Sequence, residues 1–290
     1  MIEIDNGNCN HCMQCVDVCP ARIFVQDATK GKKASINVDY HELCIACGHC
    51  IAICPENAVL HEQLPTDMFG PLEASTITSE ALHNLLLSRR SIRAYKSELV
   101  PRTLLQHLVE GAGCAPTASN SQNVGITVVK DAELLSDLEG LVIEILWNQL
   151  KKLGNPITRR LARFKYNKAE LQGFERYYRS FKRRKEEEQL RGMIFRGAPC
   201  AIMTHAPQKN TMNTANCALA IANMTALAQT QGLGTCWMGF LIDAANRTTR
   251  INRLLEIPET RKILGCIAVG YPKYSYSKSI PRTAPQVNWL

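Results

Sequence analysis

Eight of the thirteen cysteines fall in two matched groups near the start of the 290-residue chain. Cys9, Cys12, Cys15 and Cys19, followed by Pro20, spell C-x2-C-x2-C-x3-C-P. Cys44, Cys47, Cys50 and Cys54, followed by Pro55, spell it again, each member displaced by 35 positions (44 − 9 = 35). Three cysteines at two-residue gaps let one tight loop wrap an iron-sulfur cubane, while the fourth, carried past the loop by a short turn and a proline, points toward the other centre. The spacing therefore predicts one 4Fe-4S cluster on Cys9, Cys12, Cys15 and Cys54 and a second on Cys44, Cys47, Cys50 and Cys19. Zinc sites also use C-x2-C, but as two separated pairs, which a triplet plus a proline-marked fourth does not match. With four thiolates for each cluster, His11 and His49 read as exposed loop residues. Cys114, Cys200, Cys217, Cys236 and Cys266 are scattered among apolar neighbours and read mostly as core thiols.

A second concentration of chemistry is Ser-Arg-Arg-Ser-Ile-Arg-Ala-Tyr, which puts Arg89, Arg90, Ser91 and Arg93 within five residues. Three cations and a hydroxyl suit a phosphate. They equally suit the solvated end of a helix. Phe174, Tyr177, Tyr178 and Phe181 fall at i, i+3, i+4 and i+7, one aromatic stripe that serves either as a packing or dimer face or as a lid over a bound ring. Lys182 with Glu186 and Arg183 with Glu187 mark an exposed helix face. The glycines that begin at Gly111 and Gly232 open like a dinucleotide fingerprint but lack the third glycine, so no Rossmann module is expected.

The elements that must position these groups follow from pattern. A chain of this length with 46% apolar residues has room for two unequal domains. No stretch approaches the roughly 20 apolar residues of a membrane span and no leading apolar segment is present, which predicts a soluble, cytoplasmic protein. The cluster domain is expected over residues 1–62, a linker with two prolines and a glycine over 63–75, and a second domain over 76–290. Thr78 or Ser79 is placed to cap a helix through Arg89, and Pro101 to open another that ends near Gly111. Val124–Lys130, Pro199–His205 and Ile263–Val269 read as strands, and Thr211–Gln231 as a small-residue helix packed closely on the sheet. A helix over Asp131–Gly154 and a charged helical stretch over 156–191 form a large helical excursion. The class is α+β.

Residues 1–62 resemble the bacterial two-cluster ferredoxins, with the sequels Pro-Ala-Arg-Ile and Pro-Glu-Asn-Ala-Val strengthening the repeat. Residues 75–290 resemble the FMN-dependent nitroreductases, with four segments in the same order, which implies an α+β sandwich. In that family the Arg-Arg-Ser-x-Arg segment grips the ribityl phosphate, implying Arg89, Arg90, Ser91 and Arg93. The loop Ala-Pro-Thr-Ala-Ser-Asn-Ser-Gln resembles an element that touches the flavin from the neighbouring subunit. It implies Pro116, Thr117, Ala118 and Asn120, and a homodimer with FMN at the subunit interface. Gln122 is followed by Asn123 and Val124, where the family has Pro-Trp. The loop Gly232–Gly239 implies Trp237, Met238 and Gly239, whose backbone N–H groups would face flavin N5 and O4 and stabilise the reduced ring. Ile280-Pro-Arg282 resembles the closing segment, implying Arg282 at the phosphate. The family's lysine two residues earlier is replaced by Ile280, with Lys278 as a substitute, and Arg191 and Arg196 are candidates for a cation near flavin N1 and O2.

The resemblance implies that one-electron equivalents pass from a donor such as reduced ferredoxin, through the clusters, to FMN. The acceptor is expected to be a nitroaromatic, a quinone or an activated alkene, with no protein acid or base in the chemistry. The alternatives are an NAD(P)H-driven flavoprotein that exports electrons through its clusters, and a non-catalytic electron-transfer module. The formal charge of +8 reads as counter-charge: two clusters at about −2 each and a flavin phosphate at about −2 leave roughly +2. Neither a nucleic acid nor a membrane is expected as a partner.

Overall fold

The computed structural model describes residues 1–27, 33–154, 158, 164 and 167–290. Contacts divide the chain into two compact units, Met1–Thr76 with Ser119–Ser121, and Ile77–Ala118 with Gln122–Leu290.

The first unit carries its sequence duplication into the backbone. Strand β1 (Ile2–Ile4) pairs antiparallel with β4 (Val59–His61), and β2 (Phe24–Asp27) with β3 (Lys33–Ile36). Two short helices, α1 (Gln14–Val18) and α2 (His49–Ala52), start 35 residues apart (49 − 14 = 35). Left-handed backbone recurs at the same offset, at His11 and Ala46, Met13 and Gly48, and Arg22 and Asn57. These residues bend the chain inward around each cysteine triplet, a conformation that costs a side-chain-bearing residue about 1 kcal/mol and persists only where its surroundings hold it. Ile2, Ile23, Phe24, Ile51 and Val59 form the small core beneath.

The second unit is built on a four-stranded antiparallel sheet. In chain order its elements begin with α3 (Ser79–Ser88), α4 (Arg102–Gly113), β5 (Gly125–Val129), α5 (Ala132–Gly154) and α6 (Lys168–Glu186). They continue with β6 (Cys200–Pro207), α7 (Asn213–Thr230), β7 (Gly234–Trp237), α8 (Gly239–Ala245), α9 (Arg250–Leu254) and β8 (Arg261–Gly270). The spatial order of the strands is β5-β6-β8-β7. Successive residues of β6 feed opposite faces. Cys200 and Ile202 join α4 and α7 in one core, whereas Ala201 and Met203 join α5 and α8 in the other. Each large apolar side chain buried this way contributes about 1.5–3 kcal/mol. Helix α7 lies close against α4 at Gly111, where any Cβ would collide with Leu227 Cδ1.

The expected strands and the α7 helix all form, with ends that differ by a residue or two. Thr78 caps α3 by accepting the Ala81 N–H. The charged stretch forms as α6, closed at its start by a reciprocal capping box between Asn167 and Glu170. Most of residues 155–166, the first part of that expectation, lies outside the described residues. No described helix is long and apolar enough to cross a membrane.

Candidate functional site

The eight cysteines gather into two four-thiol cavities, and the fourth cysteine of each motif crosses to the other. Cys9, Cys12, Cys15 and Cys54 line one cavity. Cys19, Cys44, Cys47 and Cys50 line the other. The two crossing thiols are held alike: Ile23 N–H donates to Cys19 Sγ at 3.3 Å and Ala58 N–H to Cys54 Sγ at 3.2 Å. All eight are free thiols. Burial, followed by the neighbouring Cys9 thiolate, pushes Cys15 up to about 11. Burial, followed by Cys47, does the same to Cys50. Clustered thiols of this kind lose their protons only to a cationic metal group. Four thiols round each cavity, three from one loop and one from the other motif, match the thiolate set of a cubane, so the residues fit that group.

Two histidines stand beside ligand sulfurs. His11 is half-buried, with Nδ1 3.4 Å from Cys9 Sγ, so it is not the exposed loop residue expected. His49 is exposed. His61, on β4, carried no sequence signal. Its Nδ1 accepts the Gln63 N–H at 3.1 Å, which leaves the proton on Nε2, 3.6 Å from Cys44 Sγ.

In the second unit a cavity of about 760 Å³ brings together segments far apart in sequence. Ser91 and Arg93 enter from the segment after α3, fixed by the Ile92 N–H on the Thr235 carbonyl at 2.9 Å. Trp237, Met238 and Gly239 enter from the end of β7. Arg196 enters from the loop before β6, and α5, α6 and α8 supply a wall that includes Phe174, Tyr177 and Phe240. Burial raises the Cys236 thiol, and Arg93 and Arg196 both act against that rise, so the two guanidinium groups converge on one place. Among the described residues neither is paired with a carboxylate. A cavity into which Arg93 and Arg196 converge fits an anionic group or a ring that gains negative charge. The aromatic stripe divides: Phe174, Tyr177 and Phe181 line the cavity, whereas Tyr178 stacks on Trp147 at 5.9 Å.

Several expected contacts are placed differently. Arg89 and Arg90 line a separate cavity of about 560 Å³ with Lys96, Lys273 and Tyr276. Arg90 directs its guanidinium to carbonyls, those of Leu87 at 2.7 Å, Arg89 at 2.8 Å and Lys278 at 3.3 Å, and so closes the end of α3. The Met238 N–H is taken by the Cys266 carbonyl at 2.8 Å and is not offered to a ligand. Gly239 opens α8, whose first turn closes with the Leu241 N–H on the Met238 carbonyl at 3.2 Å. Arg282 is exposed in the tail beyond β8 and lines neither cavity, and Arg191 is exposed as well.

Pro116, Thr117 and Ala118 do not line the cavity of their own chain. Their loop is tied by the Ala118 N–H on Asn216 Oδ1 and by the Gln122 N–H on Thr117 Oγ1, both at 3.0 Å. Asn120 groups with the first unit, where its amide donates to the carbonyls of Ile45 at 3.1 Å and Ala46 at 2.9 Å. Asn216 carried no signal in the sequence, because it sits among the small apolar residues of α7.

Two families of known proteins match the two parts of the chain. The model of the nitroreductase family matches residues 86–271, and that of the 4Fe-4S dicluster domain matches residues 1–55. A putative NADH dehydrogenase/NAD(P)H nitroreductase of Archaeoglobus fulgidus is 23% identical over 65% of this chain and 84% of its own length. Iodotyrosine deiodinase 1 of Rattus norvegicus is 24% identical over 70% of this chain and 66% of its own length, so the chain spans just under two thirds of that relative. Among solved structures, a nitroreductase with bound FMN from Bacteroides fragilis superposes with a TM-score of 0.54 at 21% identity, covering 73% of this chain and all of that one. The fold and the matched families define a nitroreductase-type domain preceded by a ferredoxin-type 4Fe-4S domain. The chain belongs to the nitroreductase family.

Proposed function

We propose that this protein takes one-electron equivalents into two 4Fe-4S clusters and uses them at an FMN, bound in the 760 Å³ cavity, to reduce a nitroaromatic, a quinone or an activated alkene. The observation that carries the reading is the meeting of Ser91 and Arg93 with Trp237–Gly239 and Arg196 in one cavity, although the first segment lies more than a hundred residues before the other two. The clusters supply one-electron transfer, and FMN supplies the junction to two-electron chemistry.

The chain's own residues hold and bias these groups. Arg93 and Arg196 favour the negative charge of a reduced ring, in a pocket where low dielectric strengthens the effect. Phe174, Tyr177 and Phe240 form a wall that excludes water and offers a flat surface to an aromatic acceptor. Arg89, with Lys96 and Lys273, offers cations for the phosphate in the neighbouring cavity.

A homodimer completes the site. Helix α3 has no buried residue and exposes Leu82, Leu86 and Leu87, and the tail exposes Ile280, Val287 and Trp289. Apolar surface on this scale marks an interface. Pro116, Thr117 and Ala118 are then free to reach the partner's flavin. A second reading, in which NAD(P)H reduces the flavin and electrons leave through the clusters, is favoured by the name of the Archaeoglobus fulgidus relative.

The acceptor test uses Tyr177→Ala in flavin-loaded protein. The expected result is a KM for a nitroaromatic raised about tenfold, the size of one lost aromatic contact, with FMN retained. Unchanged kinetics for every acceptor would remove the wall from the substrate site.

A further inference from the structure

We infer that Glu139 is the positioning residue that holds Arg196 in the flavin cavity; the inference rests on the flavin reading of that cavity. Glu139 lies within α5 and is 8% exposed, where a carboxylate is costly unless its oxygens are satisfied. Among the described residues it has no cationic partner. Its partners are backbone: Oε2 accepts the Gly192 N–H at 2.7 Å, and Oε1 accepts those of Ile194 at 2.7 Å and Phe195 at 3.3 Å.

Those three donors belong to the irregular loop that delivers Arg196. Gly192, Arg196 and Gly197 all have left-handed backbone, with φ of 75°, 59° and 74°. At Arg196 that conformation is paid for by no glycine-like freedom, so the surrounding structure must impose it. Met193, Ile194 and Phe195 are buried in the core, which anchors the loop's apolar side. The carboxylate anchors its polar side, through charge-assisted bonds that a neutral acceptor makes more weakly. The Arg196 N–H closes the turn on the Gly192 carbonyl at 3.1 Å, so the residue Glu139 holds is hydrogen-bonded to the residue whose side chain enters the cavity. Glu139 therefore sets the place of a cation it does not touch, and through it the affinity and potential of the flavin.

The test measures FMN dissociation constant and flavin midpoint potential in the full chain for Glu139→Gln, Arg196→Ala and the double variant. Glutamine keeps the shape but has one accepting oxygen, so the loop loses part of its anchor. The expected results are FMN binding weakened about tenfold and a lowered potential in each single variant, with the double variant no worse than Arg196→Ala alone. A purely structural role predicts effects that multiply, and that outcome overturns the inference. So does a wild-type potential in Glu139→Gln while Arg196→Ala shows a shift. If Arg196→Ala itself changes neither quantity, the flavin reading of Arg196 fails, and the inference fails with it. Should Glu139→Gln not fold, Gly192→Ala strains the same loop with open space around the new Cβ. It is expected to weaken FMN binding in the same direction, and wild-type binding there also overturns the inference.

Discussion

Cys19 and Cys54 have exchanged places: each lines the cavity formed by the other's motif, 35 residues away along the chain (54 − 19 = 35). The exchange ties the two halves of the repeat into one unit. It predicts that Cys54→Ala damages the cluster of Cys9, Cys12 and Cys15, and that Cys19→Ala damages the other. Iron and sulfide analysis should fall from about eight irons per chain toward about four in either variant, with electron paramagnetic resonance showing the cluster of the distant motif lost. Loss confined to the cluster of the mutated motif would show that the ligands do not cross.

Arg90 and Arg93 are near neighbours with different work. Arg93→Ala should weaken FMN binding by roughly 10- to 100-fold, the size of one or two lost charge-assisted bonds. Arg90→Ala removes bonds to three carbonyls and should lower unfolding stability by about 1–2 kcal/mol with FMN affinity little changed. Fluorescence titration with FMN and thermal unfolding separate the two, and the reverse pattern would contradict the assignment.

Which features could be read in advance depends on how far each is set by the local chain. The cluster ligands were legible because three of every four sit in one short loop and a proline marks the fourth. Strands β5, β6 and β8 and helix α7 were legible because burial on both faces of the sheet left runs of apolar and small residues, whereas β7 lay inside a glycine-rich segment that reads as a loop. The division of labour among Arg89, Arg90 and Arg93 was not, because it follows from the Ile92–Thr235 hydrogen bond, a contact about 140 residues long in sequence. Glu139 carried no signal in the sequence, because its acceptors are met by a loop more than fifty residues away in the chain. The hydrogen bonds of Asn120 to Ile45 and Ala46 were not legible for a similar reason: a residue in a left-handed turn, with φ of 50°, directs its amide by backbone geometry that the loop's composition does not reveal.

His205 should make acid stability measurable. Burial, and then the Arg261 charge, pull it down from 6.5 to about 4. Arg261 Nε donates to Nδ1 at 2.7 Å, which leaves Nε2 facing Thr127 Oγ1 at 3.3 Å. The unfolded chain binds this proton more readily than the folded one. The contribution is therefore complete above pH 6.5 and is lost as pH falls toward 4, on the order of 3 kcal/mol in all. Relative to the wild type, His205→Gln should flatten the fall in melting temperature between these limits; parallel curves would contradict it.

The central claim is that electrons enter through the clusters and reach the flavin. Oxygen-free protein should be followed by its visible spectrum during separate additions of reduced ferredoxin and NADPH. The account predicts that ferredoxin bleaches both clusters and flavin while NADPH leaves them oxidised. Rapid reduction of the flavin by NADPH alone, with ferredoxin ineffective, would contradict it and reverse the direction of flow.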